Sequence, residues 1–331
     1  MQKNYGVKCL GLGASLPSKT VTNDDLKNLF DTSDEWITKR TGIKERKVIS
    51  NDESGLSLSH DASIMALKQA NLSPLDIDLI LVATSTPDNF YPSMACMLQG
   101  KLGASNAVCF DISAACSGFI YGMITAAQFI YNGTYKNILL VGVDIHSRFM
   151  DWSDRSVSIL FGDGAGALVM SSCLAKDDEM IKYIMGSSSD VNFDLILKNS
   201  NVTYPDIDPL IKPDVVKMNG KAIFEFGIKI IPDTIHKLID TCGLTLADID
   251  YFLPHQANQR IIEAAAKKLG FKEHQIISNI SKVGNTSAAS IPLALYDAMA
   301  NKAIKGPARI VLIGFGAGLT WGAVLLNWNL K

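Results

Sequence analysis

Two stretches of the chain repeat each other across 172 residues. Leu72-Ser73-Pro74-Leu75-Asp76-Ile77-Asp78 leads into the apolar run Leu79-Ile80-Leu81-Val82-Ala83, and Leu244-Thr245-Leu246-Ala247-Asp248-Ile249-Asp250 leads into Tyr251-Phe252-Leu253. The interval from Asp78 to Asp250 is 172 residues, and the same interval carries Leu139-Leu140-Val141-Gly142 onto Val311-Leu312-Ile313-Gly314. Between them, Ser113-Ala114-Ala115-Cys116 finds Ser287-Ala288-Ala289-Ser290 at an interval of 174. A period this long signals a duplicated domain half and not a solenoid. Strand-like runs alternate with helix-like ones in each copy, which predicts two similar α/β halves, each with a largely buried sheet and helices on its faces. Residues 175–219, rich in Asp, Asn, Ser and Pro, match nothing in the first half and read as an inserted loop region beside the site.

Composition narrows the function classes. The 331 residues can bury a large core, and a formal net charge of −2 with no basic block argues against a nucleic-acid surface. Six cysteines lack CxxC spacing or a disulfide rhythm, which suits a reducing compartment, and the opening MQKNYGVKCLGLG has no apolar signal segment; we expect a cytoplasmic protein. The run Ile310 to Trp328 approaches the ~20 residues that span a bilayer. Gly314, Gly316 and Gly318 break its middle, so two buried strands around a glycine turn are expected instead of a membrane span.

Chemistry concentrates where a strand meets a helix. Val108 to Ile112 reads as a strand, Ser113 to Gly118 turns on small residues, and Phe119, Ile120, Met123, Ala126, Ala127 and Ile130 recur at helical spacing. Cys116 therefore sits at a helix start, where unpaired N–H groups and the positive end of the macrodipole favour thiolate. A buried cysteine packed as a small hydrophobe fits the same position, and this stretch alone does not separate the two. His255 follows the strand Tyr251–Leu253 on the side where α/β folds collect ligands, although a lone histidine there also serves as a structural hydrogen-bonding residue. Asn285 precedes the internal counterpart of the cysteine turn, which places it near the crevice opposite Cys116.

Thr32 and Glu35 stand at capping-box spacing, so a helix should start there and stop at Gly42. Trp36 and Arg40 share one face of it, either as a stacking platform with a cation or as a surface aromatic beside a solvated charge. On a second amphipathic helix, 257–269, Ala257, Ile261, Ala264, Ala265 and Leu269 turn inward while Arg260 and Lys267 face water. Two motif readings fail. Cys, His and Asn in this order match papain-like proteases, but CGSCW is absent and a duplication has no place in that architecture. Gly162-Asp163-Gly164-Ala165-Gly166 precedes a strand instead of opening a helix, which rules out a nicotinamide site.

Six segments together resemble the thiolase-fold condensing enzymes, and among them β-ketoacyl-acyl-carrier-protein synthase III: TSDEWITKRTGIKER, DISAACSGF, DRSVSILFGDGAGA, PHQANQRI with AKKLG, GNTSAAS and FGAGLTWG. The resemblance covers essentially the whole chain. It implies an α/β thiolase-like fold of two βαβ-type halves with mixed sheets, layered α-β-α-β-α, residues 1–175 carrying the cysteine and 176–331 the histidine and asparagine. It implies that Cys116 takes an acyl group from a coenzyme A thioester, with the N–H groups of Cys116 and Ala317 as oxyanion hole. His255 and Asn285 would then hold the thioester carbonyl of malonyl-acyl-carrier-protein while carbon dioxide leaves. By the same likeness Trp36 and Arg155 sandwich the adenine, Arg40 sits at the tunnel mouth, and Phe224 and Asn258 line the tunnel. Arg260, Lys267 and Lys268 would face the acidic carrier protein. Tyr91, in Phe90-Tyr91-Pro92-Ser93, would project into the partner of a two-fold homodimer and close a short acyl pocket. Coenzyme A thioester enters as substrate, and no metal or other cofactor is implied.

The chain departs from the pattern at Ala317 in place of the middle glycine, at Ser156 after Arg155, and at Glu225 where a basic docking residue is common. These leave open a specialised relative with another primer or acceptor. A degradative thiolase is disfavoured, since its second cysteine belongs near the final glycine loop and the last cysteine here is Cys242; the intact trio counts against a silent partner subunit.

Overall fold

The computed structural model describes residues 5–198 and 214–330. The first part of the chain runs β1 (Tyr5–Ser15), β2 (Lys19–Thr22), α1 (Asn23–Leu26), α2 (Asp34–Thr41), β3 (Glu45–Val48), α3 (Gly55–Ala70) and β4 (Leu79–Ala83). It continues through α4 (Met94–Leu102), β5 (Val108–Ile112), α5 (Gly118–Tyr131), β6 (Asn137–Asp144), α6 (Arg155–Ser158) and β7 (Gly164–Leu174). The second part runs β8 (Met180–Ser187), β9 (Leu195–Ile196), β10 (Lys217–Met218), α7 (Gly220–Asp240), β11 (Tyr251–Pro254) and α8 (Gln259–Leu269). It closes with α9 (Ile280–Val283), α10 (Ser290–Ala300), β12 (Ala308–Gly316) and β13 (Thr320–Trp328).

Two sheets carry the duplication. One has the order β1-β7-β6-β4-β5 and the other β11-β12-β13-β8. In the first, β4 is parallel to β5 and β6, while β7 is antiparallel to β6 and β1. In the second, β11 is parallel to β12, and β13 is antiparallel to β12 and β8. So β11, β12, β13 and β8 repeat β4, β6, β7 and β1, and a single parallel bridge from Phe252 to Ile276 marks where a counterpart of β5 would run.

Side chains alternate at period two and sort the layers. Leu79 and Leu81 of β4, Leu140 of β6, Ile310 and Leu312 of β12 and Val324 of β13 meet α5 and α10 in one central core. Ile80, Val82, Leu139 and Val141 turn the other way onto α3 and α4. Val311, Ile313, Ala323 and Leu325 turn onto α7 and α8. The stack is α-β-α-β-α, and the central strands β4, β6 and β12, covered on both faces, read as unbroken apolar runs. The run from Ile310 to Trp328 forms β12 and β13, paired from Ala308 with Trp328 to Gly316 with Thr320. Among the described residues no helix is long and apolar enough to cross a membrane.

Three expectations change. Residues 175–219 are not all inserted loop: Met180–Ser187 is β8, the counterpart of β1 at the edge of the second sheet, and 199–213 lie outside the described residues. The cap of α2 is Ser33, whose hydroxyl accepts the Trp36 N–H at 3.1 Å, not Thr32; Gly42 does end the helix, at φ 76°. The repeated turns lie 172 apart, not 174. Ala115 and Ser287 both take left-handed φ, 46° and 49°, and α5 and α10 start at Gly118 and Ser290, so Cys116 matches Ala288.

Candidate active site

The two helix starts meet head to head between the sheets. A one-turn 3-10 segment, Ala115–Ser117, holds Cys116 in front of α5, and its twin, Ser287–Ala289, stands in front of α10. Asp144, at the end of β6, ties the segment after β4 to the second of these turns. Its Oδ1 accepts the N–H groups of Ser85 and Thr86 at 2.8 and 3.1 Å, and its Oδ2 accepts the Ala288 N–H from the other half at 3.1 Å. The β12–β13 loop closes over the sulfur's backbone. A Cβ at Gly316 would stand 2.9 Å from both the N and the Cβ of Cys116, so only glycine allows the loop this near. Ala317 follows outside the left-handed region, and Gly318 takes φ 135°, so the alanine brings no backbone strain.

Cys116 is buried, and its Sγ accepts a hydrogen bond from Ser287 Oγ at 3.3 Å. Burial pushes the thiol up to about 12, the Ser287 bond pulls it part of the way back, and Asp144 pushes it further up. Of the two readings that the sequence leaves open, this burial matches the packed thiol. The turn is short and 3-10, and loss of water outweighs what a helix terminus contributes.

His255 follows β11, its N–H donating to Ile313 O at 2.7 Å in continuation of the β11–β12 pairing. Its Nδ1 lies 2.7 Å from Ser290 Oγ, and the edge-to-face ring of Phe315 is 5.4 Å away. When Ser290 donates to Nδ1, the proton sits on Nε2 and the ring offers a donor to the cavity. Burial, with a smaller push from His146, lowers the imidazole to about 3, so it is neutral at physiological pH. Asn285 is clamped on both sides by the 160–162 segment: its N–H donates to Leu160 O at 2.8 Å and its carbonyl accepts the Gly162 N–H at 3.0 Å. Its Oδ1 accepts the Ser287 N–H at 2.9 Å, which leaves the NH2 end for the cavity.

Cys116, His255 and Asn285 line one cavity of about 470 Å³, within the usual range for small-ligand sites. Trp36, Arg40, Ser156, Phe224, Asn258 and Arg260 also line it. The Arg40 and Arg155 guanidinium carbons lie 5.1 and 4.9 Å from the Trp36 ring centroid, and that of Arg260 lies 5.4 Å from Phe224. Arg155 reaches the site through Trp36 and is held by Asp31 O at 3.2 Å. Aromatic planes flanked by cations suit a nucleotide base and its phosphates. Asn258 caps α8 by accepting the Arg260 N–H at 2.9 Å and reaches Arg40 O at 3.2 Å, so it joins α8 to α2.

Other residues stand apart from the cavity. Lys267 and Lys268 are exposed in the last turn of α8, with Lys268 Nζ donating to Ile228 O at 2.8 Å. Exposed Glu225 faces Lys221 at 3.9 Å on α7. Tyr91 is 88% exposed and lines none of the cavity within its own chain. Ala317 sits one residue beyond the Gly316 contact. Sequence reasoning missed Ser287, Ser290 and Asp144. The first two lie in GNTSAAS, where the letters signal only the repeat, and Asp144 follows the repeated Leu139–Gly142 run with no motif to single it out.

The family described as 3-oxoacyl-[acyl-carrier-protein (ACP)] synthase III matches residues 110–189, and its C-terminal counterpart matches residues 239–328. The chain is 44% identical over 324 residues to the beta-ketoacyl-[acyl-carrier-protein] synthase III of Clostridium acetobutylicum, covering 98% of this chain and 99% of that protein. It is 45% identical over 326 residues to the enzyme of that name from Oceanobacillus iheyensis, with 98% and 99% covered. The crystal structure of 3-oxoacyl-[acyl-carrier-protein] synthase III from Aquifex aeolicus superposes with TM-score 0.90 at 40% identity over 98% of this chain and all, 100%, of that one. The fold is the thiolase fold of condensing enzymes, and the chain belongs to the 3-oxoacyl-[acyl-carrier-protein] synthase III family.

Proposed function

We propose that this protein takes an acyl group from an acyl-CoA onto Cys116 and joins it to malonyl-acyl-carrier-protein by decarboxylative Claisen condensation, the step that initiates fatty-acid synthesis. The observation that carries this reading is the convergence of Cys116, His255 and Asn285 on one cavity with aromatic and cationic groups at its mouth. In the first half-reaction the Cys116 sulfur attacks the thioester carbonyl carbon, the carbonyl electrons move to oxygen, and the oxyanion rests on the N–H groups of Cys116 and Ala317. As the adduct collapses, the proton of the Cys116 thiol passes through solvent water to the departing sulfur, so coenzyme A leaves as its thiol and acyl-cysteine remains. Two easier steps replace one hard one.

In the second half-reaction the malonyl thioester carbonyl meets His255 Nε2–H and the Asn285 NH2. The bond to the carboxylate breaks, carbon dioxide leaves, and the electron pair becomes an enolate stabilised by those two donors. The enolate carbon attacks acyl-Cys116, and the cysteine sulfur is expelled as the β-ketoacyl product forms. Preorganised neutral donors suit this step, since they need no reorganisation as charge develops. The chemistry asks for no metal, because these donors meet both developing charges. Arg260, Lys267 and Lys268 on α8 form the docking face for the acidic carrier protein. The enzyme works in the cytoplasm as a homodimer.

Intact-mass spectrometry after incubation with a panel of acyl-CoA thioesters tests this. Wild type gains the mass of one acyl group, most readily from acetyl-CoA, and Cys116→Ala gains none. Acylation of Cys116→Ala at the normal rate would contradict the assignment.

A further inference from the structure

Ser287 hydrogen-bonds one residue of each proposed half-reaction, Cys116 and Asn285. It is 1% exposed and takes φ 49°, a conformation that residues other than glycine rarely adopt. Its N–H donates to Asn285 Oδ1 at 2.9 Å and its hydroxyl donates to Cys116 Sγ at 3.3 Å. The duplication separates these two roles. Ala115, the counterpart in the first half, takes the same left-handed conformation at φ 46° with no hydroxyl at all. The turn therefore does not require the Ser287 oxygen, and what that oxygen touches is the sulfur.

Besides Ser287, the donor toward the sulfur is the backbone N–H of Cys116 itself, which contributes less. Asp144 lies beneath it with a carboxylate, His255 in the same cavity is neutral, and the cations Arg40, Lys221 and Arg260 line the cavity toward its mouth. A buried anion without a cation beside it depends on hydrogen-bond donors. We infer that Ser287 is a catalytic residue whose hydroxyl, by donating to Cys116 Sγ, stabilises the sulfur anion both as it attacks the acyl-CoA and as it leaves during condensation. The hydrogen stays on the serine oxygen throughout. The inference rests on Cys116 being the nucleophile.

Iodoacetamide labelling separates the two claims, with the modified residue identified by peptide mapping in wild type, Cys116→Ala, Ser287→Ala and Ser287→Gly. Glycine relieves the left-handed backbone while removing the hydroxyl, so a fold defect confined to the alanine variant is recognised. At a fixed pH between 7 and 9, labelling of Cys116 should fall by roughly 10–100-fold in both Ser287 variants, the worth of one hydrogen bond to a charged group. Equal rates in wild type and Ser287→Gly overturn the inference and leave the nucleophile in place. Labelling of wild type that spares Cys116, while the exposed Cys96 reacts, overturns the nucleophile and the inference with it.

Discussion

His255 stays neutral because it is sealed between Ser290 and Phe315, and that state has a stability consequence. Its folded value is lowered to about 3, whereas an unfolded histidine titrates near ~6.5. Between those values the unfolded chain takes up a proton that the native one refuses, so the contribution present at neutral pH is lost as pH falls. The slope from this one group is up to about 1.4 kcal/mol per pH unit. Urea unfolding at pH 7, 6 and 5 should show the stability of wild type falling relative to His255→Asn as the pH drops. A pH-independent difference would mean the histidine titrates normally in the fold. Cys116, His255 and Asn285 were legible in the sequence, but the state of the thiol was not. Residue order reveals a helix terminus, whereas desolvation depends on how closely Gly316 and Ser287 pack, which only the assembled fold sets.

The β12–β13 loop makes the same point one level up. FGAGLTWG announces a glycine turn, yet not that its first glycine lies 2.9 Å, in Cβ terms, from the nucleophile's own N and Cβ. Gly316→Ala should therefore displace the cysteine turn while leaving the β12–β13 pairing intact. Overpacking of this kind costs roughly 1–3 kcal/mol. We expect acyl transfer from acetyl-CoA to fall at least tenfold with secondary structure unchanged, as read by stopped-flow acylation and circular dichroism. Full activity would show that the loop yields at no expense. Strands buried on both faces, such as β4, β6 and β12, were readable as apolar runs. β8 was not, because it is a half-buried edge strand with Lys182 in its middle and polar flanks. The interval of 174 came from matching Ser-Ala-Ala letters. The positive φ values of Ala115 and Ser287 align the turns by backbone instead, and a backbone conformation on non-glycine residues has no letter in the sequence.

Across the molecule, the first sheet ends at β5, beside which no further strand runs among the described residues; its Val108 is exposed, and Phe90 and Tyr91 are more exposed still. An edge strand of this kind is a template for a second copy. The proposal that Tyr91 of a second copy closes the acyl pocket predicts a dimer by light scattering, and a Tyr91→Ala variant that gains activity on acyl-CoA thioesters longer than acetyl. A monomer, or a wild type preferring octanoyl to acetyl primers, would remove Tyr91 from the pocket. The proposed mechanism divides labour within one cavity: Cys116 carries the acyl group, while His255 and Asn285 serve only the malonyl half. Its most direct test is His255→Ala incubated with acetyl-CoA and malonyl-acyl-carrier-protein, with acyl-enzyme followed by intact mass and carbon dioxide followed from labelled malonyl carboxylate. We expect acyl-enzyme at close to the wild-type level with carbon dioxide release reduced by at least 100-fold, the order supplied by a positioned donor. Acylation lost along with decarboxylation in a folded variant, or decarboxylation at the wild-type rate, would contradict it.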